Sequence, residues 1–286
     1  MSGRLLLHPE GEGLWNMAVD AVLARGARSP LTLRCYGWKP ATLSLGHSQP
    51  LTPELSRRAA ALDVPIVRRE TGGRAVLHDE ELTYCVAIPA DSPFHRGSLP
   101  QAYGEINAAL AAGLRGLGLE IGQEARRVDL AAAYRRETGG LCFAATAQSE
   151  VLWKGRKLVG SAQRQLREGL LQHGSLIVAM GHARIGRLFF DESRLQEAAA
   201  AKLARETTSL EEALGRRPAF EELARALKAG FESCYDLELV RDELDAAEEA
   251  RAQAWRAAFE PQHGAVRLPA GLDPPPPMDT NRHETD

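Results

Sequence analysis

Between residues 14 and 25 the chain reads LWNMAVDAVLAR, with apolar side chains at helical spacing and Asp20 on the polar side, which predicts an amphipathic helix. LTLRCYGW (31–38) and ATLSLGH (41–47) predict two strands around Lys39-Pro40. PELSRRAAALD (53–63) predicts a helix opened by Pro53. The apolar runs VPIVRRE and LTYCVAIP then predict two strands that bracket a glycine pair. QAYGEINAALAAGLRGLG is a helical pattern that stops at glycines. An irregular stretch from Leu119 to Ala147 separates it from residues 149–179, which predict a three-stranded meander with turns at KGRK and REG. From Arg184 onward the pattern is helical: Ser209 and Glu212 fit a capping box, Pro218 can open the next helix, and ELDAAEEARAQAWRAAF forms the last. The proline-rich tail, 266–286, is expected to be disordered. Strands and helices do not alternate strictly, so the expected fold is α+β: one domain over 1–265, with mixed or largely antiparallel sheets flanked by helices.

Charge and cysteine usage narrow the function classes. A formal net charge of −3 over 286 residues argues against a nucleic-acid partner, which usually demands a basic excess. Apolar runs are too short to span a membrane, and the N-terminus has no signal-peptide core, so the expected location is the cytoplasm. The four cysteines (Cys35, Cys85, Cys142, Cys234) form no CxxC pair, which argues against structural zinc and a disulfide framework. HExxH, P-loop and GxGxxG signatures are absent from the chain, so no metal or cofactor is expected.

Three segments carry candidate chemistry. In RRETGGRAVLHDEELTY (68–84) the pair Gly72-Gly73 lies between Arg68-Arg69 and His78-Asp79. Glycines between strands allow a ligand to approach the backbone, and flanking arginines suit a carboxylate, phosphate or polarised carbonyl. A tight hairpin with solvated arginines would give the same pattern. Cys142 is the candidate nucleophile because it follows Thr138-Gly139-Gly140-Leu141 in an irregular segment. The other three cysteines sit in apolar or amphipathic patterns, where cysteine packs as a small hydrophobe. Lys157, in GRKLVGSAQ, is a cation able to lower a nearby thiol pKa; the bland alternative is an edge-strand lysine that blocks aggregation. His78 and His173 fall on different predicted strands, and spacing identifies no carboxylate partner for either, which favours satisfied interior histidines.

Taken in order, NMAVD (16–20), RCYGWKPATLSLGHSQ (34–49), RRETGGRAVLHDEELTY (68–84), CF (142–143), GRKLVGSAQRQ (155–165) and LLQHGSLIV (170–178) resemble the biotin/lipoate protein ligase superfamily, in particular its LipM-type octanoyltransferase branch. The resemblance implies an α+β fold around a hydrophobic acyl tunnel. It implies transfer of octanoyl from acyl carrier protein to a lysine of a lipoyl domain, such as glycine cleavage H protein. Cys142 would form the acyl-thioester and Lys157 would lower its pKa. Backbone at Gly72 and Gly73, with Arg69, Arg74 and His78, would line the acyl and carbonyl pocket; Gly160, Ser161, Ala162, His173 and Gly174 would line it too. Since the donor is already a thioester, no ATP is required. Two alternatives use the same framework: an ATP-dependent lipoate–protein ligase, against which Arg74 stands in place of a third glycine, and an amidotransferase between lipoyl proteins. A catalytically silent binding module is disfavoured by the presence of both Cys142 and Lys157. Both protein partners are expected to be acidic, and Arg57-Arg58, Arg126-Arg127, Arg135-Arg136 and Arg164 with Arg167 are candidate contacts.

Overall fold

A computed structural model describes residues 1–26, 28–124 and 150–262. Cys142, the arginine pairs at 126–127 and 135–136 and the tail at 266–286 lie outside the described residues. The chain opens with β1 (Ser2–His8), α1 (Gly13–Arg25), β2 (Thr32–Tyr36), β3 (Thr42–Leu45), α2 (Pro53–Ala61), β4 (Ile66–Arg68), β5 (Val76–His78), β6 (Glu81–Pro89) and α3 (Leu99–Arg115). Then come β7 (Ile121–Glu124), β8 (Glu150–Trp153), β9 (Arg156–Gln165) and β10 (Gly169–Ile177). The C-terminal part comprises α4 (Gly186–Phe189), α5 (Ser193–Glu206), α6 (Leu210–Leu214), α7 (Phe220–Tyr235), β11 (Glu238–Arg241) and α8 (Ala246–Trp255).

Eight strands form one sheet in the order β11-β1-β2-β6-β10-β9-β8-β7, and β4-β3-β5 form a second, three-stranded sheet. The pairs β11–β1, β1–β2 and β3–β4 are parallel and the others antiparallel, so the sheets are mixed with an antiparallel majority. Some strands differ from the sequence expectation: SGRLLLH gives β1, where none is expected, IGQE gives β7 inside the stretch expected to be irregular, and ELVR gives β11 inside the region expected to be wholly helical. Each gains its stability from pairing, β1 with β2, β7 with β8 and β11 with β1, which local periodicity does not register.

Side chains alternate across a strand, so the large sheet has two distinct faces. On β6, Leu82, Tyr84, Val86 and Ile88 enter the aliphatic core shared with α3 and α7. Gly113 and Gly230 let those helices meet backbone to backbone: a Cβ on Gly230 would lie 2.2 Å from the Ala109 carbonyl oxygen. The opposite face presents Arg34, Tyr36, Thr83, Cys85, His173 and Ser175 and is covered by α1 and the small sheet. Buried polar groups require partners, so this second face dictates a hydrogen-bonded interior rather than an oily one. Helix α1 is correspondingly buried from Asn16 to Ala24, and Asp20, expected on its solvent side, is almost fully enclosed.

The chain ends are clasped by charge. Arg4 donates from Nη1 to Glu248 Oε1 at 2.7 Å and from Nε to Asp242 Oδ2 at 2.7 Å, and the Glu248 side chain is fully buried. Glu248 also closes the capping box of α8 with Asp245. Removing one member of a buried pair strands the other charge and costs about 3–5 kcal/mol. Glu248→Ala should therefore lower the urea midpoint by an amount equivalent to about 3 kcal/mol, whereas loss of a solvated pair would change it by less than about 1 kcal/mol.

Candidate active site

A narrow cavity of about 50 Å³ lies between the polar face of the large sheet, α1 and the small sheet. Of the residues singled out from the sequence, Arg69, His78, Lys157, Gly160, Ser161, Ala162, His173 and Gly174 all border it. Met17, Tyr36, Trp38, Ser44, Val76 and Ser175 complete its lining.

Lys157 is placed by a defect in the ladder. Val151 pairs with Val159 but Leu152 with Lys157, so β9 carries one extra residue and bulges there. Bulges re-aim side chains and recur beside active sites. The Lys157 carbonyl accepts from Thr208 N at 3.0 Å, and the residue is only 8% exposed on a strand flanked by β8 and β10. The edge-strand reading of this lysine is therefore wrong.

Both histidines acquire carboxylate partners that spacing did not reveal. His173 Nδ1 meets Asp20 Oδ2 at 2.9 Å, and its Nε2 meets Thr71 Oγ1 at 2.7 Å. Asp20 also accepts from Arg34 Nη1 and from the Tyr36 hydroxyl, each at 2.7 Å. Burial opposes ionisation of Asp20, but the His173 hydrogen bond and the Arg34 charge outweigh it and hold its carboxyl below the usual range. On the other wall, His78 Nδ1 meets Glu81 Oε1 at 2.8 Å and its Nε2 meets Ser44 Oγ at 2.7 Å. Burial likewise opposes the charge on Glu81, and the His78 charge with hydrogen bonds from His78, Thr83 and Ser175 overcomes it. Trp38 stacks on His78 with ring centroids 4.0 Å apart and donates from Nε1 to Thr83 Oγ1 at 2.7 Å. A carboxylate only accepts, so each ring donates from Nδ1 to its carboxylate, while Nε2 faces the hydroxyl of Ser44 or Thr71.

The segment from Arg68 to Arg74 is fixed residue by residue. Arg68 Nη1 donates to the carbonyls of Gly46 (2.7 Å) and Gln49 (2.6 Å). Arg69 donates to the Ser44 carbonyl and hydroxyl and to the carbonyls of Gly72 and Arg74. Its fork therefore stitches the glycine loop to β3. Glu70 pairs with Arg25 of α1, and its carbonyl accepts from Arg164 at 2.7 Å. Gly46 and the loop are in backbone contact: a Cβ on Gly46 would lie 2.0 Å from the Gly73 carbonyl oxygen.

The other candidates are placed differently. Gly72, Gly73 and Arg74 do not border the first cavity; they line a neighbouring one with Gln49, Arg58 and Phe189. Ser161 offers that first cavity its backbone, because its hydroxyl accepts from Tyr84 at 2.6 Å on the α3 face. Cys35 and Cys85 are buried as expected, and burial pushes the Cys35 thiol up to about 12, whereas Cys234 is exposed. Arg58 is mostly covered and pairs with Asp191, while Arg57 approaches the same carboxylate at 3.5 Å and stays exposed. Asp20, Glu81, Ser44 and Thr71 were missed; the available signal was Asp20 within NMAVD and Glu81 three residues beyond His78.

The fold is that of the lipoate–protein ligases. A lipoate-protein ligase A structure bound with ATP superposes with a TM-score of 0.68 at 18% identity, covering 90% of this chain and 95% of that one. A bipartite lipoate protein ligase from Thermoplasma acidophilum gives 0.67 at 20% identity, covering 90% and 92%. The chain belongs to the Lipoyl protein ligase A/B catalytic domain family, which matches residues 12–232. Among its relatives, Octanoyltransferase LipM of Kyrpidia tusciae is 37% identical over 265 residues, covering 90% of this chain and 95% of the relative. The protein of the same name from Moorella thermoacetica is 36% identical over 249 residues, covering 85% and 90%. That from Bacillus subtilis is 32% identical over 242 residues, covering 81% and 87%.

The polar interior makes stability depend on pH in two stages. His8 Nδ1 accepts from Arg34 Nε at 2.9 Å, and burial, then the Arg34 charge, pushes its pKa down to about 4. An unfolded histidine takes up a proton near pH 6.5, so the unfolded chain binds more protons between about pH 6.5 and 4 and stability falls there on acidification. Asp20 and Glu81, with lowered pKa values, contribute stability that is lost only further down, as pH falls through their folded values. Urea unfolding from pH 7 to pH 3 should show both stages, and His8→Gln should flatten the first alone. Equal slopes in the two proteins between pH 6.5 and 4 would contradict this assignment.

Proposed function

We propose that this chain is an octanoyltransferase of protein lipoylation, acting in the cytoplasm. It takes the octanoyl group from acyl carrier protein onto Cys142 and passes it to a lysine of a lipoyl-domain protein such as glycine cleavage H protein. The observation that carries this reading is the buried Lys157, beside a bulge in the wall of a partly open cavity whose lining combines Met17, Trp38 and Val76 with two carboxylate-anchored histidines. Relatives bearing the octanoyltransferase name, aligned over more than four-fifths of the chain, support it.

The chemistry proceeds in two exchanges. The Cys142 thiolate attacks the thioester carbonyl of the donor, the carrier's thiol departs with a proton, and an acyl-enzyme thioester remains. The acceptor amine then attacks that carbonyl, the Cys142 sulfur leaves, and the amine proton passes to it or to solvent. Lys157 favours the thiolate by its charge, as cations beside thiols do. Octanoyl is retained by burial in the cavity, at about 0.8 kcal/mol for each methylene removed from water. Gly174 lets β9 and the Tyr84 ring pack closely against β10: a Cβ there would lie 2.3 Å from the Gly160 carbonyl oxygen and 2.8 Å from the Tyr84 ring. The cavity histidines orient Thr71 and Ser44 and hold the site's shape.

Incubation with octanoyl-carrier protein and a lipoyl domain, without ATP, should yield an octanoylated acceptor and an enzyme adduct by intact mass. Cys142→Ala should abolish both. Lys157→Ala should slow acylation at least about 100-fold, the scale of losing one preorganised catalytic group, and should raise the pH at which Cys142 alkylates. Full activity of Cys142→Ala with ATP and free lipoate would establish the ligase reading instead.

A further inference from the structure

We propose that Met17, Tyr36 and Trp38 form the end wall that limits acyl-chain length, and that Met17 is its adjustable part. The inference rests on the transferase reading above.

The cavity runs across the sheet. Lys157 and Gly160 lie on β9, His173 and Ser175 on β10, and Tyr36 on β2, with β6 between β10 and β2. From β9 to β2 there are three strand spacings, about 14 Å at about 4.8 Å each. With the reacting carbonyl held at the Lys157 end, the chain's methyl end points toward β2, Trp38 and α1.

Two components of that far wall are locked. The Tyr36 hydroxyl is tied to Asp20 at 2.7 Å, and the Arg34 guanidinium sits 3.9 Å from the centre of its ring. Trp38 is held at both ends, by Thr83 at 2.7 Å and by its stack on His78. Neither ring can retreat without breaking a buried network. Met17 is different: its side chain is unbranched, with rotatable bonds and no strong hydrogen-bonding group, and it is only 3% exposed. It projects from the same helix as Asp20 and borders the cavity. Its volume can be changed without removing a partner from the Asp20 network.

The test loads wild type, Met17→Ala and Met17→Phe with an equimolar mixture of hexanoyl-, octanoyl-, decanoyl- and dodecanoyl-pantetheine and reads the adducts by intact mass. Each methylene that gains apolar surroundings is worth about fourfold, so two give about tenfold or more. Met17→Ala is expected to raise the decanoyl-to-octanoyl ratio about tenfold over wild type. Met17→Phe is expected to move the preference toward hexanoyl, and it carries the test if the alanine variant does not fold. Ratios within twofold of wild type in the folded variants, with adducts still formed, overturn the end-wall assignment. Absence of any adduct on wild type, at every chain length, overturns the transferase reading itself and this inference with it.

Discussion

The buried polar cluster of the Asp20–Arg34 ion pair and His173 is the constraint on which the site depends. Asp20 comes from α1, Arg34 from β2 and His173 from β10, and all three are nearly inaccessible. Burying such charges costs several kcal/mol per ion unless every remaining hydrogen-bonding position is filled. Here most are filled: Arg34 also reaches the carbonyl and side chain of Asn16 and the ring of His8, and Asp20 takes the Tyr36 hydroxyl. A cluster so complete tolerates only one placement of α1 on the sheet. It thereby sets where Met17 meets the cavity and where His173 holds Thr71.

From Thr71 the constraint passes into the glycine loop. Arg68, Arg69, Glu70 and Thr71 are tied respectively to the 46–49 turn, β3, α1 and β10. The second relay, Arg69 to Ser44 to His78 to Glu81, binds the small sheet to the large one on the cavity's other side. The arginines of this loop thus work chiefly on the protein's own carbonyls. The resulting rigidity suits acyl transfer, which gains most from groups held in place before the reaction begins.

Much of this was legible in the sequence and some was not. The meander carrying Lys157 and His173, the glycine loop and the α+β class followed from local patterns, and eight of the expected site residues border one cavity. β1, β7 and β11 are not legible because pairing, not periodicity, makes them strands. Asp20 was assigned to solvent because a lone aspartate on an apolar helix looks like its polar side, yet its partner Arg34 lies 14 residues on and His173 lies 153 on. Gly72, Gly73 and Arg74 fell beside a neighbouring cavity because a glycine loop's proximity to one pocket cannot be told from its sequence.

On the proposed function, an acyl chain bound to Cys142 lies in the cavity beside Lys157. A crystal structure of the octanoyl-enzyme tests it most directly. The thioester sulfur should lie within hydrogen-bond reach of Lys157 Nζ, with the chain crossing β9 and β10 toward Met17. Density for the chain between Gln49, Arg74 and Phe189, or an adduct on any other residue, would contradict it.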